Sequence, residues 1–405
     1  MTREAEQGVP VLPGGPFPLP GEGERPARKD WDALLRLAGH HEVLPSLYAS
    51  LKSRYAETCP PGVLDRARRI SLRTAAMNVR RLREAAGVIQ SLQKEGIETL
   101  LLKGAYLAET VYRDAALRPM MDVDLLVREE DLEAAGRALS GFGYIPEITY
   151  DRRVRHAARI VNTISYHAPE RSLHVDLHLN LEPPASPFRM DPVGLWSRAR
   201  PFAFEGVKCR TLSETDHLLH LCIHGAFRHL FYPLKTLFDL HLFLRRFGEE
   251  MDWESALRQA ERWGAINTVR LCDGVLRSLG WAASPADTLA SARHDDGAAS
   301  RVEWAVEQIL ADRGAELLAR RNIAQWWAAG GLRGKVKFLL KGAAWVPEGE
   351  IAGRTGRRRG ARFLAARLLR LLAIAGKNLP ALAGLLLHRG EIHRLAAMRR
   401  WISKG

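Results

Sequence analysis

The chain has 405 residues, which predicts two or three domains, and a net charge of +14. Its hydrophobic fraction of 46% is ordinary for a soluble protein. No stretch reaches the ~20 apolar residues that a membrane-spanning helix requires, so the composition excludes an integral helical membrane protein. Residues 331–405 contain 17 lysines and arginines against three glutamates and so account for the whole net charge, whereas the neutral remainder gives no sign of a nucleic-acid-binding surface.

The first 28 residues are rich in proline and glycine and have no apolar segment after a basic start. They therefore do not resemble a signal peptide, and we expect a disordered leader. The four cysteines are far apart and form no CxxC pair, which favours a reducing, cytoplasmic compartment; they are Cys59, Cys209, Cys222 and Cys272.

Helix-forming residues dominate 29–95, with a break at Cys59-Pro60-Pro61-Gly62. The apolar run 97–102, IETLLL, predicts a short buried strand, and 105–114 predicts a helix. Lys103 and Gly104 lie between the two. A glycine at the start of a helix lets a phosphate approach the backbone, and the lysine adds a positive charge, so this junction is a candidate phosphate site.

The next strand carries two aspartates on one face. In RPMMDVDLLV, residues 118–127, the apolar side chains alternate with Asp122 and Asp124, which is the period-two pattern of a strand. Carboxylates at i and i+2 repel each other unless a cation lies between them. An isolated pair of this kind is often only an acidic solvated face, so its neighbours must decide between that interpretation and a divalent-metal site.

A second amphipathic strand follows an acidic-started helix at 129–143. In SLHVDLHLNL, residues 172–181, Asp176 lies in the middle of the polar face between His174 and His178. If this strand neighbours the first, three carboxylates converge, which suits Mg²⁺. Glu182 is an alternative third ligand, and the two histidines are more often outer residues of a metal site than ligands.

From Ser213 onward the chain is predicted to be helical, beginning with the capping box SETD. His217, His220 and His224 fall on one helical face. We interpret them as a polar stripe facing the active-site cleft, with Lys235 and Asp239 near it, and assign no zinc. In the basic tail we expect helices at about 360–377 and 380–400, with leucines packed on the body and arginines exposed.

These motifs together resemble the polymerase-β-type nucleotidyltransferase superfamily, and most closely a poorly characterised bacterial group of nucleotidyltransferase family proteins. The resemblance covers roughly residues 30–245 and is strongest over 97–144. It implies transfer of a nucleoside monophosphate from an NTP to a hydroxyl group by a two-metal mechanism with Mg²⁺ or Mn²⁺. The acceptor is expected to be a small molecule or a protein.

The resemblance also implies site residues. Asp122, Asp124 and Asp176 match the catalytic, metal-binding acids, and Gly104 matches the glycine of the phosphate loop. Lys103, Gly104 and Arg118 are assigned to nucleotide binding, although Arg118 could equally pair with a nearby carboxylate. The superfamily's usual Gly-Ser is Lys-Gly here, so the serine that often touches the triphosphate is absent.

The predicted fold is α+β, with a small mixed β-sheet nucleotidyltransferase core flanked by N-terminal and C-terminal helical regions. Its segments are a disordered leader (1–28), N-terminal helices (29–95), the core (96–205), a helical domain (206–330) and a basic helical tail (331–405). Two alternatives are an inactive binding protein with this fold and an adaptor that acts through the tail. Weak contact of 351–405 with anionic membrane or nucleic acid, and a peripheral location at the membrane, would follow from its charge.

Overall fold

The computed structural model describes residues 28–114, 116–147, 162–168, 173–184, 186–281, 297–313, 316–317 and 389–403. Residues 1–27 of the predicted leader, the predicted helix at 360–377 and the first part of the predicted helix at 380–400 lie outside these residues. Within them, an α+β arrangement is present, with a mixed sheet between two helical regions, as the sequence predicted. No helix of the described part is both long and apolar enough to cross a bilayer.

Helices precede the sheet. They are α1 (Arg28–His40), α2 (Leu44–Arg54) and α3 (Pro61–Lys94). Pro60 and Pro61 start α3 because proline fits the first turn, where its missing N–H is not needed. One face of α3 is buried through residues such as Leu82, Val88 and Ile89, and this face packs the helix against the core.

The described residues form a seven-stranded sheet. In chain order the strands are β1 (Leu100–Leu101), β2 (Asp122–Leu126), β3 (Ile145–Pro146), β4 (Thr163–His167), β5 (His174–His178), β6 (Arg200–Phe204) and β7 (Val207–Thr211). Their spatial order is β3-β4-β5-β2-β1-β7-β6. The pairs β2–β5 and β1–β7 are parallel, and the other neighbours are antiparallel. The sheet therefore extends past residue 205, the predicted end of the core.

Short helices connect these strands. They are α4 (Lys103–Leu107), which continues as a π-helix over Ala108–Tyr112, α5 (Leu132–Gly141), preceded by a 3₁₀ turn at Glu129–Asp131, and α6 (Pro192–Arg198). Asp191 caps α6, because its carboxylate accepts hydrogen bonds from the backbone N–H groups of Val193 and Gly194 at 3.1 and 3.0 Å. The π-helix is an insertion that the sequence pattern did not indicate.

The region after the sheet is helical. Its elements are α7 (Glu214–Cys222), followed by a π-helix over Ile223–Arg228, α8 (Lys235–Phe247), α9 (Trp253–Trp263), α10 (Ile266–Ser278), α11 (Ala298–Leu310) and α12 (Arg389–Ile402). Ser213 caps α7 through a 3.1 Å bond from the N–H of Asp216, which confirms the predicted helix start.

The helix α12 packs on the helical body. Ile392, Leu395 and Ile402 are buried, and the side chain of Asn267 donates to the carbonyl of Trp401 at 2.9 Å. This agrees with the apolar packing predicted for the second tail helix. The expectation that its arginines are all exposed is wrong for Arg399, which is buried and donates to the carbonyl of Phe227 at 2.7 Å. Its guanidinium satisfies a carbonyl that would otherwise be buried without a partner.

Candidate active site

The two aspartates of β2 share one face of the strand. Val123 and Leu125 point to the other face and are fully buried, so the alternation predicted from the sequence is present. Asp124 is only 3% exposed, whereas Asp122, at the start of the strand, is exposed. The environments of these two carboxylates therefore differ strongly, and Asp124 is the one that needs a compensating charge.

Strand β5 lies parallel to β2 and brings the third acid to the same face. The Cα partner of Asp124 is Asp176, that of Asp122 is His174, and that of Leu126 is His178. Residues paired in this way project from the same side of a sheet. The two acidic strands are therefore neighbours, which is the condition that the sequence analysis set for a metal site.

The closest set of metal-ligating atoms belongs to Asp124, Asp176 and His178. One carboxylate oxygen from each aspartate and one ring nitrogen of His178 all lie within 4.8 Å of one another. Among the residues that the structure describes, no other such group occurs. Asp122 lies outside this group, so its role as a metal ligand stays a prediction.

Two cationic or hydrogen-donating groups contact Asp124. Nζ of Lys103 lies 3.4 Å from Oδ1 of Asp124, and Nε2 of His178 lies 2.8 Å from the same oxygen. Burial by itself raises the pKa of Asp124, but the charge of Lys103 and the hydrogen bond from His178 outweigh it and hold this pKa well below its usual range. The carboxylate is therefore ionised at neutral pH.

The environment of Asp176 acts in the opposite direction. Burial raises the pKa of Asp176, a hydrogen bond with Ser165 offsets part of this, and the charge of Asp124 raises it again. Two carboxylates at this spacing favour any cation placed between them. The arrangement fits a divalent ion, since Mg²⁺ and Mn²⁺ take carboxylate oxygens.

Glu182, the alternative third acid, is occupied elsewhere. Its carboxylate is buried and accepts hydrogen bonds from Ser186 and from Nε of Arg228, both at 2.8 Å. It also falls outside the metal-ligating group. Of the two candidates, the geometry favours Asp176.

Gly104 lies at the junction between β1 and α4, as predicted, but its close neighbour is protein. A Cβ added at Gly104 would lie 3.4 Å from Nη1 of Arg118, which is an ordinary van der Waals contact. Lys103 opens α4 with its side chain directed at Asp124. Whether this junction holds a phosphate stays a prediction.

Arg118 is committed to a buried carboxylate. Nε and Nη2 of Arg118 donate to the two carboxylate oxygens of Asp239 at 2.9 and 2.8 Å. The hydroxyl of Tyr112 donates to the same carboxylate at 2.7 Å. Two of the donors of Arg118 are thus used for structure, which is the second of the two roles that the sequence left open; contact with a nucleotide stays a prediction for Nη1.

The backbone just before β2 is held in place by side chains from other elements. Four successive carbonyls each accept a hydrogen bond from a side chain of a surrounding helix. The pairs are Leu117 with Ser46 (3.2 Å), Arg118 with Asn78 (2.6 Å), Pro119 with Lys235 (3.2 Å), and Met120 with Arg81. Helices α2, α3 and α8 therefore set the position at which the two aspartates enter, and no motif in the sequence marked these donors.

The histidine stripe on α7 is only partly as interpreted. His217 is fully buried and stacks on Tyr106 with ring centroids 4.1 Å apart, so the expectation that it faces a cleft is wrong. Burial lowers the pKa of His217 to about 3. His220 is also buried, and burial together with the charge of Lys103 lowers its pKa well below the usual value.

The two residues expected beside this stripe have other partners. Lys235 forms an ion pair with Glu42, and Asp239 is the partner of Arg118. Both side chains join α8 to earlier parts of the chain. His178, which the sequence ranked as an outer residue, is the one that the structure brings to the acids.

Comparisons with known proteins identify a family for this chain. Residues 27–279 match the model of a family described as "Uncharacterised nucleotidyltransferase". No curated protein matches the chain. The chain is similar to the solution structure of the antibiotic-resistance factor ANT(2'')-Ia, with 12% identity, 46% of this chain and 93% of that chain covered, and a TM-score of 0.34. It is also similar to the lincomycin-bound crystal structure of the lincosamide antibiotic adenylyltransferase LnuA, with 13% identity, 40% and 94% covered, and a TM-score of 0.29.

Proposed function

Because the chain belongs to the uncharacterised nucleotidyltransferase family, we propose that it transfers a nucleoside monophosphate from an NTP to a hydroxyl group of a small molecule or a protein. The observation that carries the proposal is the parallel register of β2 and β5, which sets Asp124 beside Asp176 with their oxygens within 4.8 Å of each other and of His178. Such a site suits phosphoryl transfer, where positioning and charge stabilisation dominate.

Mg²⁺ or Mn²⁺ fits this donor set, and we propose that Asp122, Asp124 and Asp176 hold it. When bound, the ion would supply positive charge to the triphosphate and to the leaving pyrophosphate. In the reaction, the acceptor oxygen forms a bond to the α-phosphorus while the bond from that phosphorus to the bridging oxygen breaks. The carboxylate of Asp176 would accept the proton that the hydroxyl loses.

We assign Lys103 and Gly104 to the nucleotide. The contact of Lys103 with Asp124 is a single one at 3.4 Å, and a lysine side chain is long and flexible enough to exchange it for a β- or γ-phosphate oxygen. Gly104 would leave room for the phosphates beside the backbone. Arg118 would contribute through Nη1 alone, since its other donors hold Asp239.

The test is binding and transfer with a panel of α-labelled NTPs, with Mg²⁺ or Mn²⁺ and without either. An Asp122→Asn, Asp124→Asn double variant should lose transfer and metal-dependent binding. Glu130→Gln, an exposed acid close to the same strand, is the matched control and should retain both. Unchanged turnover in the double variant would rule out the metal assignment and favour an inactive or unrelated site.

We propose a second, weaker role for the basic tail. Residues 351–405 would contact anionic membrane lipid or nucleic acid, since the net charge of the chain lies entirely in 331–405. A cytoplasmic location, partly at the membrane surface, agrees with four free cysteines. Replacing the basic residues of 351–388 by glutamine separates the two roles, since it leaves α12 in place: transfer should persist, and salt-sensitive sedimentation with anionic vesicles should disappear. Loss of transfer together with binding would favour the adaptor alternative.

A further inference from the structure

His178 lies at the last position of β5, and its ring reaches the buried Asp124 and the half-buried Asp176. Its side chain is 13% exposed, and Nε2 lies 2.8 Å from Oδ1 of Asp124. The same ring belongs to the set of three ligand atoms within 4.8 Å. Since Asp122 is exposed and outside this set, the residue that completes the buried half of the site is an imidazole and not a third carboxylate.

The other ring nitrogen of His178 has its own partner. Nδ1 lies 3.0 Å from Oγ1 of Thr163, which is the cross-strand neighbour of His178 on β4. A threonine hydroxyl can donate or accept, so both neutral tautomers of the ring are satisfied. With the proton on Nε2 the ring donates to Asp124. With the proton on Nδ1 it donates to Thr163, and the lone pair of Nε2 faces the two acids.

The second tautomer is the one that metal-binding histidines use. Their remaining N–H is almost always donated to a nearby oxygen, which fixes the ring and raises the basicity of the ligating nitrogen. Thr163 supplies that oxygen here. Because the exchange only moves a proton from one ring nitrogen to the other, it leaves the net charge of the site unchanged.

A second observation points to a ligand at this place. His220 is 3% exposed and interacts electrostatically with Asp124 and His178, yet its Nδ1 has no hydrogen-bond partner within the described residues. A buried polar atom without a partner is costly. Because His220 is close enough to Asp124 and His178 to interact with their charges, this nitrogen indicates that the site can receive a further polar species.

We propose that Nε2 of His178, with Asp124 and Asp176, is a direct ligand of one divalent ion, and that this site binds Mn²⁺ in preference to Mg²⁺. The inference rests on the proposed function and specifies its metal. Mg²⁺ keeps almost exclusively oxygen ligands and dehydrates reluctantly, whereas an imidazole suits the first-row transition ions. When the proton is instead on Nε2, the same ring donates a hydrogen bond to Asp124 and has no lone pair there for the ion.

The experiment uses the full chain and MnCl₂ alone, without nucleotide. Electron paramagnetic resonance measures Mn²⁺ affinity, and electron spin-echo modulation from ¹⁴N reports a nitrogen bound directly to the ion. We expect clear ¹⁴N modulation in the wild type and none in His178→Ala or His178→Gln, with Mn²⁺ affinity at least about tenfold weaker. His174→Ala removes the exposed histidine of the same strand and should leave both signals within twofold.

Two further variants separate ligation from mere orientation of Asp124. His178→Asp restores an all-oxygen site, so it should bind Mn²⁺ without ¹⁴N modulation and shift the Mn²⁺-over-Mg²⁺ preference towards Mg²⁺ about tenfold. Thr163→Val should weaken Mn²⁺ binding about tenfold while the nitrogen signal persists, and Thr163→Ser should restore it.

The outcomes are distinct from those of the transfer assay. Mn²⁺ binding that depends on Asp124 but shows no ¹⁴N modulation, or the absence of Mn²⁺ binding, would overturn the role of His178. If NTP transfer with Mg²⁺ were found in that case, the proposed function would stand without it. Conversely, the wild type could show ¹⁴N modulation that His178→Gln loses, and yet transfer no nucleotide. That result would support the metal site and contradict the proposed function.

Discussion

Two ion pairs involve residues in the active-site strand or just before it, and they are built differently. Arg118 and Asp239 meet through two parallel hydrogen bonds at 2.9 and 2.8 Å, and Tyr112 adds a third donor to the same carboxylate. Lys103 and Asp124 meet at one point, 3.4 Å apart. The first pair satisfies its carboxylate completely, whereas the second leaves oxygens that other groups can bind.

The difference indicates that the first pair has a structural role and that the lysine of the second pair can exchange its contact. A bidentate pair that is fully buried holds helix α8 against the segment before β2, and exchange of its partners would expose two charges to an apolar interior. A lysine with a single long contact can move without that penalty. Both residues were assigned to nucleotide binding from the sequence. Lys103 would give up a single long contact for such a role, whereas Arg118 has only Nη1 left for it.

Removing one partner from each pair tests directly whether the two pairs differ in their contribution to stability. Arg118→Met or Asp239→Asn leaves an uncompensated buried group and should lower the free energy of unfolding by about 3–5 kcal/mol. Lys103→Met should lower it by about 1–3 kcal/mol, less than for the first pair, because Lys103 is half-buried and His178 still donates to Asp124. Urea denaturation followed by tryptophan fluorescence measures both.

A double variant controls for this result. Arg118→Met with Asp239→Leu removes both charges, so it should be less destabilised than the sum of the single variants. Equal losses for Lys103→Met and Arg118→Met would mean that the two pairs are energetically equivalent and that the contrast in geometry has no consequence.

His217 is a buried group that, unlike the two ion pairs, stays neutral in the folded protein. His217 has a folded pKa of about 3, whereas an unfolded histidine titrates near ~6.5. As pH falls below ~6.5, only the unfolded state gains this proton, so the free energy of unfolding decreases. From pH 7 to pH 5 this residue should account for about 2 kcal/mol of the loss.

His217→Phe keeps an aromatic ring against Tyr106 and removes the proton site. We expect its stability to fall less than that of the wild type over the same pH range, by about 2 kcal/mol. Urea denaturation at pH 7, 6 and 5 gives the comparison. Parallel pH curves for the two proteins would show that the ring of His217 is not held neutral in the folded state.

The smallest expected effect sharpens the assignment of Lys103. Lys103→Ala should weaken NTP binding about tenfold and NMP binding less than twofold, because the lysine is assigned to the distal phosphates. Calorimetric titration with each nucleotide and Mg²⁺ measures the ratio. Lys208→Ala, which removes an exposed lysine of β7, is the matched control. Equal weakening for both nucleotides would return Lys103 to a purely structural role.

The sequence was sufficient for the elements that carry the acids. Alternation in MDVDLLV and HVDLH marks one buried face on each strand, because side chains alternate across a sheet. The resemblance to a known fold then supplied their pairing. What alternation cannot supply is the register, since a shift of two residues satisfies the same pattern. Whether His174 or His178 reaches Asp124 depends on that shift.

Contacts between distant residues were also beyond the sequence. Arg118 and Asp239 are separated by 121 positions, and neither lies in a pattern that names its partner. The donors that fix the carbonyls before β2 come from three helices for the same reason. The sequence did not predict the π-helical turns at Ala108–Tyr112 and Ile223–Arg228, because helix periodicity does not reveal an inserted residue.

The order of strands in the sheet has a consequence for how the protein is made. His178 reaches Asp124 across 54 positions, and Thr211 on β7 closes on Leu101 across 110. During synthesis at ~5–20 residues per second, Asp124 emerges seconds before its partners do. We therefore expect an interval on the ribosome in which β1 and β2 have open edges, and in which the nascent chain depends on chaperones to keep those edges from pairing with other chains.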